Sequence, residues 1–293
     1  MERKRDPWRH ELIARLEAAS RMVETARGPI EVADVGEGRP VLFVHGAPGG
    51  CDRGTLVARQ FAGPDVRWIG PSRPGYLRTP LSVGERLEEQ ADALAALLDT
   101  MGFDRLPVFA HSTGAAVAVH FAARHPERCA GLVLAAGVSR PLRAARAARR
   151  AIGSLPPLMT AAELPSYGSA WMLRRLGATL ARIRPGRAAP PELDVLSILA
   201  ETMLPADRRA AGFVNDILQL AALAPLPYDR VLCPALLVHG TGDVIVPVSH
   251  SRAAVTQLAS AELHLVPAGQ HYGIYLPSAS LRESILAFLR KAA

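Results

Sequence analysis

The sequence predicts an α/β fold, a mostly parallel sheet covered by helices on both faces, with a helical insertion late in the chain. Three observations predict it. Short runs that are apolar throughout recur between Gly and Pro residues, which suggests strands buried on both faces. Stretches with helical spacing lie between those runs, and strand alternating with helix argues crossover connections. The alternation stops once, between about residues 141 and 227, and then resumes.

Composition sets the limits. The chain has 293 residues, 49% of them hydrophobic and 21% charged, with a mean hydropathy of +0.13, as expected of a globular protein with a sizeable core. Its net charge of +7 comes almost wholly from arginine, since Lys4 and Lys291 are the only lysines. No basic cluster interleaved with aromatics accompanies that charge, so nucleic acid is not an expected partner. Cys51, Cys129 and Cys233 are odd in number and far apart in sequence, which fits neither a disulfide framework nor a zinc site. The N-terminus never opens into the apolar stretch of a signal peptide, and no uncharged run approaches a membrane span. The expectation is a cytoplasmic protein that acts on a small molecule. Oligomeric state is not legible.

In chain order, Leu12, Leu16, Ala19 and Val23 stand at three- and four-residue spacing, which predicts one amphipathic helix over 8–26. Residues 1–27 then form a leader packed on the domain surface. Apolar runs follow at 29–35, 41–44, 66–69, 108–110, 132–135, 235–238 and 263–266, and helical spacing at 86–101, 115–124 and 281–289. Residues 28–140 and 228–293 make the core. The segment 141–227 carries eleven arginines against six acidic residues and reads as a cap, with Trp171, Met172, Leu173 and Leu176 as candidates for an apolar pocket wall or for its own packing.

The chemistry concentrates at turns. Ala110-His111-Ser112-Thr113-Gly114 sits between an apolar strand and a helix, where a strained turn tolerates only small residues two positions before and after the serine. Alone, Ser112 fits two readings, a nucleophile or a helix N-cap. His45-Gly46-Ala47-Pro48-Gly49-Gly50 follows the 41–44 strand, and its glycines let backbone N–H groups turn toward developing negative charge. No phosphate-binding glycine motif fits that loop. Asp243 lies just past the 235–238 strand and His271 just past 263–266. Loops beyond the carboxyl ends of parallel strands converge on one rim, so Ser112, Asp243 and His271 share an edge in the order serine, acid, histidine.

With the Arg73-Pro74-Gly75-Tyr76 and Arg124-His125-Pro126-Glu127-Arg128 segments added, the chain from Gly28 onward resembles the α/β-hydrolase family. That resemblance implies an eight-stranded sheet with a cap inserted after the sixth strand. It also implies Ser112 as nucleophile, His271 as base, Asp243 as its orienting acid, and an oxyanion hole formed by the N–H groups of Ala47 and Thr113. No cofactor or metal is implied. A carboxylesterase-like serine hydrolase acting on an ester or lactone is the expected activity. A C–C bond hydrolase and a proline iminopeptidase-like aminopeptidase use the same trio, and a ligand-binding sensor with little turnover is the reading from another class. Serine at 112 argues against the dehalogenase and epoxide hydrolase branches, which use aspartate. The chain departs from the family where Gly-Tyr-Gly-x-Ser becomes Gly75-Tyr76-Leu77-Arg78-Thr79. His111 beside the serine is a second histidine to weigh, His120 and His125 lack ligand spacing for a metal, and Cys51 is a pocket-lining or packed thiol.

Overall fold

The computed structural model describes residues 7–61, 63, 65–153 and 199–292. Trp171, Met172, Leu173 and Leu176, with most of the expected cap, lie outside the described residues.

Eight strands form one sheet in the order β1-β2-β4-β3-β5-β6-β7-β8. They are β1 (Arg21–Thr25), β2 (Gly28–Val35), β3 (Arg39–Val44), β4 (Val66–Pro71), β5 (Leu106–His111), β6 (Cys129–Ala135), β7 (Ala235–Gly240) and β8 (Ala261–Val266). The first two run antiparallel to their neighbours, and all pairs from β4–β3 to β7–β8 are parallel. The continuous apolar runs have a direct cause. Leu42, Val44, Val108, Ala110, Leu132, Leu134 and Leu237 enter one core, with helices α3 (Leu87–Met101) and α4 (Gly114–Arg124) packed over it. Val41, Phe43, Phe109, Val133, Ala135, Leu236 and Val238 enter a second core beneath α2 (Cys51–Gln60). Successive residues of a strand face opposite sides, so a sheet with two covered faces needs apolar side chains at every position. Strand β8 differs because it is an edge, where Glu262 and His264 are exposed.

The N-terminal expectation is corrected. Helix α1 covers only Pro7–Ala18, and residues 21–25 are a strand. Ser20 ends the helix by donating its hydroxyl to Leu16 O at 2.8 Å. The β-branched Val23 then pairs with Ile30 across a hairpin whose turn needs Gly28 at φ +113°, a conformation open to glycine. Val23, at helical spacing from Leu12 and Leu16, is instead the buried residue of an alternating strand. The hairpin therefore belongs to the sheet and not to a surface leader.

After β6 the chain leaves the sheet, and it returns at β7. The described part of this excursion includes helices α5 (Arg143–Gly153) and α6 (Ala210–Ala221). Helices α7 (Ser249–Val255) and α8 (Ala279–Ala292) complete the fold, α8 packing its apolar face on the second core. Cys129 and Cys233, 104 positions apart, bring their thiols within 3.6 Å at the bottom of β6 and β7. Both are free and buried. Among the described residues no helix is long and apolar enough to cross a membrane.

Candidate active site

Ser112 stands between β5 and α4 with φ +56°, the left-handed region that a non-glycine residue occupies only when its surroundings enforce it. The enforcement is visible on both sides. Ser112 N–H donates to Ala135 O at 2.9 Å, and its carbonyl accepts from Val138 N–H at 3.1 Å and Ala115 N–H at 3.2 Å. Ala110, where glycine is usual, is fully buried between β3 and β6, so the position must be small rather than flexible.

The loops after β7 and β8 bring the other two residues to the serine. Ser112 Oγ lies 3.0 Å from His271 Nε2, and His271 Nδ1 donates to Asp243 Oδ2 at 2.7 Å. Asp243 Oδ1 accepts from the N–H groups of Ile245 and Val246, both at 2.9 Å. His239 Nε2 stands 2.8 Å from Val246 O and 3.3 Å from Asp243 Oδ2, so that nitrogen carries the proton and faces the carboxylate. Burial works to raise the Asp243 pKa, but the hydrogen bonds from His239, His271 and Val246 outweigh it and hold the carboxyl well below the usual range. An anion of this kind fixes the histidine proton on Nδ1 and leaves Nε2 free to accept. Sequence reasoning gives His239 no role. Its place four residues before the acid was the available signal.

The 45–50 loop lies against the serine, since a methyl added to Gly46 would come within 2.7 Å of Ser112 Cβ. Among the described residues neither Ala47 N–H nor Thr113 N–H donates to a backbone carbonyl. The loop is held by Arg73, whose N–H donates to His45 Nε2 at 2.9 Å and whose Nε donates to His45 O at 2.9 Å. Its guanidinium also reaches Gln90 Oε1, Thr113 Oγ1 and both oxygens of Asp216 on α6. Tyr76 donates its hydroxyl to the same carboxylate. From the opposite direction Arg209 donates to Gly49 O at 2.7 Å and pairs with Asp52 on α2 at 2.8 Å. One buried and one partly buried ion pair thus fasten the excursion to the loop beside Ser112 and the start of α2. The altered stretch after Tyr76 has its own partner: Arg78 pairs with the buried Glu31 at 2.7 Å, and Thr79 Oγ1 accepts from Glu31 N–H.

The remaining conspicuous residues fall outside this relay. His111 donates from Nε2 to the backbone carbonyl of His271 at 3.2 Å and accepts at Nδ1 from the Tyr275 hydroxyl at 3.3 Å. It supports His271, and both its ring nitrogens are engaged by groups other than Ser112. Burial pushes the Cys51 thiol up to about 12, with the Glu31 and Asp52 charges adding to it, so it stays protonated. His125 pairs with Asp92 on the surface of α3. Among the described residues no three His, Cys, Asp or Glu side chains group as metal ligands.

Three buried histidines give a pH dependence. Burial first, then the Arg73 charge, holds His45 well below the ordinary histidine value. Burial and the neighbouring His271 do the same to His111, and burial with Arg140 brings His250 down to about 4. Each is neutral in the folded protein and gains a proton in the unfolded chain below about pH 6.5. Their contribution is therefore complete above that pH and is lost as pH falls toward the folded values. Each should remove about 1.4 kcal/mol of stability per pH unit in that window. Urea unfolding at pH 7.5 and 5.5 should show a loss of a few kcal/mol, with a shallower slope in His250→Gln; equal stability at the two values would refute the assignment.

The comparisons agree with this architecture. The chain belongs to the alpha/beta hydrolase fold family, whose profile matches residues 39–277. It is 27% identical over 274 residues to the uncharacterized hydrolase YcgS of Bacillus subtilis, covering 86% of this chain and 92% of the relative. It is 26% identical over 202 residues to the putative carbamate hydrolase RutD of Klebsiella pneumoniae, 66% of this chain and 68% of that one. Among solved structures, an alpha/beta hydrolase fold protein from Nakamurella multipartita superposes with a TM-score of 0.73 at 32% identity, covering 94% of this chain and all of that one. The protein is a hydrolase of this fold.

Proposed function

We propose that the protein is a serine hydrolase that cleaves an ester or lactone through an acyl-enzyme on Ser112. The observation that carries the reading is the hydrogen-bonded series from Ser112 Oγ through His271 to Asp243, built on a serine held at φ +56°. His271 takes the hydroxyl proton as Oγ attacks the carbonyl carbon, and returns it to the leaving oxygen. The oxyanion rests on the N–H groups of Ala47 and Thr113, donors directed at charge that develops only in the transition state. Water, deprotonated by the same histidine, then releases the acyl group. Asp243 orients His271 and stays ionised throughout. Residues 141–227 act as the cap that selects the substrate, with 28–140 and 228–293 as the core. The carbamate named for one relative is likewise attacked at a carbonyl, so the reading is of carbonyl chemistry in general, with esters and lactones first.

Rapid mixing with p-nitrophenyl acetate tests it. The expected result is a burst of p-nitrophenol equal to the protein concentration, followed by slower turnover and absent in Ser112→Ala. Saturable binding of such esters without any burst would favour the sensor. A steady-state panel of esters, lactones, carbamates and aminoacyl amides then orders the substrate classes.

A further inference from the structure

Helix α2 buries a cation that has no counter-ion among the described residues. Arg53, in the first turn after the 45–50 loop, is fully covered. Its Nε donates to Thr202 Oγ1 at 2.9 Å and its Nη1 to the Tyr275 hydroxyl at 3.5 Å, while Nη2 has no partner among the described residues. The other two buried arginines near the site each hold a carboxylate, Arg73 that of Asp216 and Arg209 that of Asp52. Asp52 is the acid nearest Arg53 in sequence, and Arg209 already grips both its oxygens. What Arg53 has instead are the faces of Tyr272 and Tyr275, 5.6 and 5.5 Å from its central carbon. Such contacts offset only part of the cost of moving an ion out of water. An unfilled donor of this kind has a strong appetite for an anion.

Its location says which anion would matter. Tyr272 directly follows His271, and its ring packs edge-on against the imidazole with centroids 5.0 Å apart. Tyr275, which accepts from Arg53, donates to His111, which in turn donates to the His271 carbonyl. The free nitrogen is thus one aromatic ring removed from the reacting group. Ser112, 4% exposed, is hydrogen-bonded to that same His271.

We propose that Arg53 is the anchor for a carboxylate carried by the substrate, so that the preferred substrates are esters or lactones of acidic molecules rather than neutral ones. The proposal deepens, and rests on, the assignment of Ser112 as nucleophile. A monoanion suits the site, because one guanidinium nitrogen is unbonded and the neighbouring cations are already neutralised. Substrate binding would then supply the missing counter-charge and position the carbonyl in one contact.

Two matched pairs of esters test it and separate the two sides of the scissile bond. Mono-p-nitrophenyl adipate against p-nitrophenyl hexanoate puts the carboxylate on the acyl side, and 4-carboxyphenyl hexanoate against phenyl hexanoate puts it on the leaving side. For one of the pairs the wild-type protein should favour the anionic member at least tenfold in kcat/KM. Arg53→Met should lower that ratio at least tenfold, and Arg53→Lys should keep part of it. A residue that only supported the fold would move both members together and leave the ratio unchanged. Calorimetry with adipate on Ser112→Ala gives a readout that needs no turnover: binding is expected, and should vanish in Ser112→Ala/Arg53→Met. Loss of adipate binding with Arg53→Met in a protein that hydrolyses no ester would keep the anion site and overturn the Ser112 reading. Ester hydrolysis with a ratio near one and no adipate binding would overturn the anion site alone. Should both Arg53 variants fail to fold, a wild-type ratio near one in both pairs overturns it by itself.

Discussion

Asp243→Asn should reduce kcat by about 10⁴ while leaving the fold and substrate binding nearly intact. The direction follows from hydrogen-bond polarity. Oδ1 of Asp243 accepts two backbone N–H bonds, from Ile245 and Val246, so an asparagine must keep its carbonyl oxygen there. Its NH2 group is then forced into the place of Oδ2, facing His271 Nδ1 and the proton on His239 Nε2. His271 can answer only by carrying its proton on Nε2. In that tautomer it donates toward Ser112 and can no longer accept the hydroxyl proton. A steady-state assay with a p-nitrophenyl ester measures the loss, and a decrease below tenfold would mean that another acid serves.

The second large effect concerns stability. Asp216→Ala should destabilise the protein by about 3–5 kcal/mol, because it leaves the Arg73 guanidinium buried without its counter-charge and removes the acceptor for Tyr76. Both side chains of the pair are almost wholly enclosed, at 1% and 3% exposure, so solvent cannot replace the lost partner. The damage should extend to activity, since the same guanidinium holds His45 O and Thr113 Oγ1 on either side of the serine. Urea unfolding of the variant measures the first effect. A change below 1 kcal/mol would show that water reaches the pair and that the excursion is only loosely fastened to the core. Replacing Arg73 and Asp216 together by Met and Leu should be much less harmful than Asp216→Ala alone, because no charge is then stranded.

The parts of the site set by local order were legible in the sequence. A serine between small residues at a strand-to-helix turn, a His-Gly loop after one strand, and an acid and a histidine after two others each follow from short segments. Parallel-sheet geometry alone then brings their loops to one rim. The fastening of the site was not legible, because it depends on pairs distant in the chain: Arg73 with Asp216 lies 143 positions apart and Arg209 with Asp52 157. In a chain with thirty-four basic residues, nothing local separates a buried arginine from a surface one. Arg53 was invisible for the same reason. The misread N-terminus has another cause, that Leu12, Leu16, Ala19 and Val23 satisfy a helical period across a real helix stop. The β-branched Val23 and Thr25 ahead of Gly28 were the signal for a hairpin.

Labelling the protein with a fluorophosphonate and mapping the modified peptide tests the central claim most directly. Reaction needs a serine whose proton is removed by a neighbouring base and whose oxyanion is received by N–H donors, so it reads nucleophile, base and oxyanion site together. The account predicts one label per chain, on Ser112, lost in Ser112→Ala and His271→Ala and retained in His111→Ala. A label on any other serine, or undiminished labelling of His271→Ala, would contradict it.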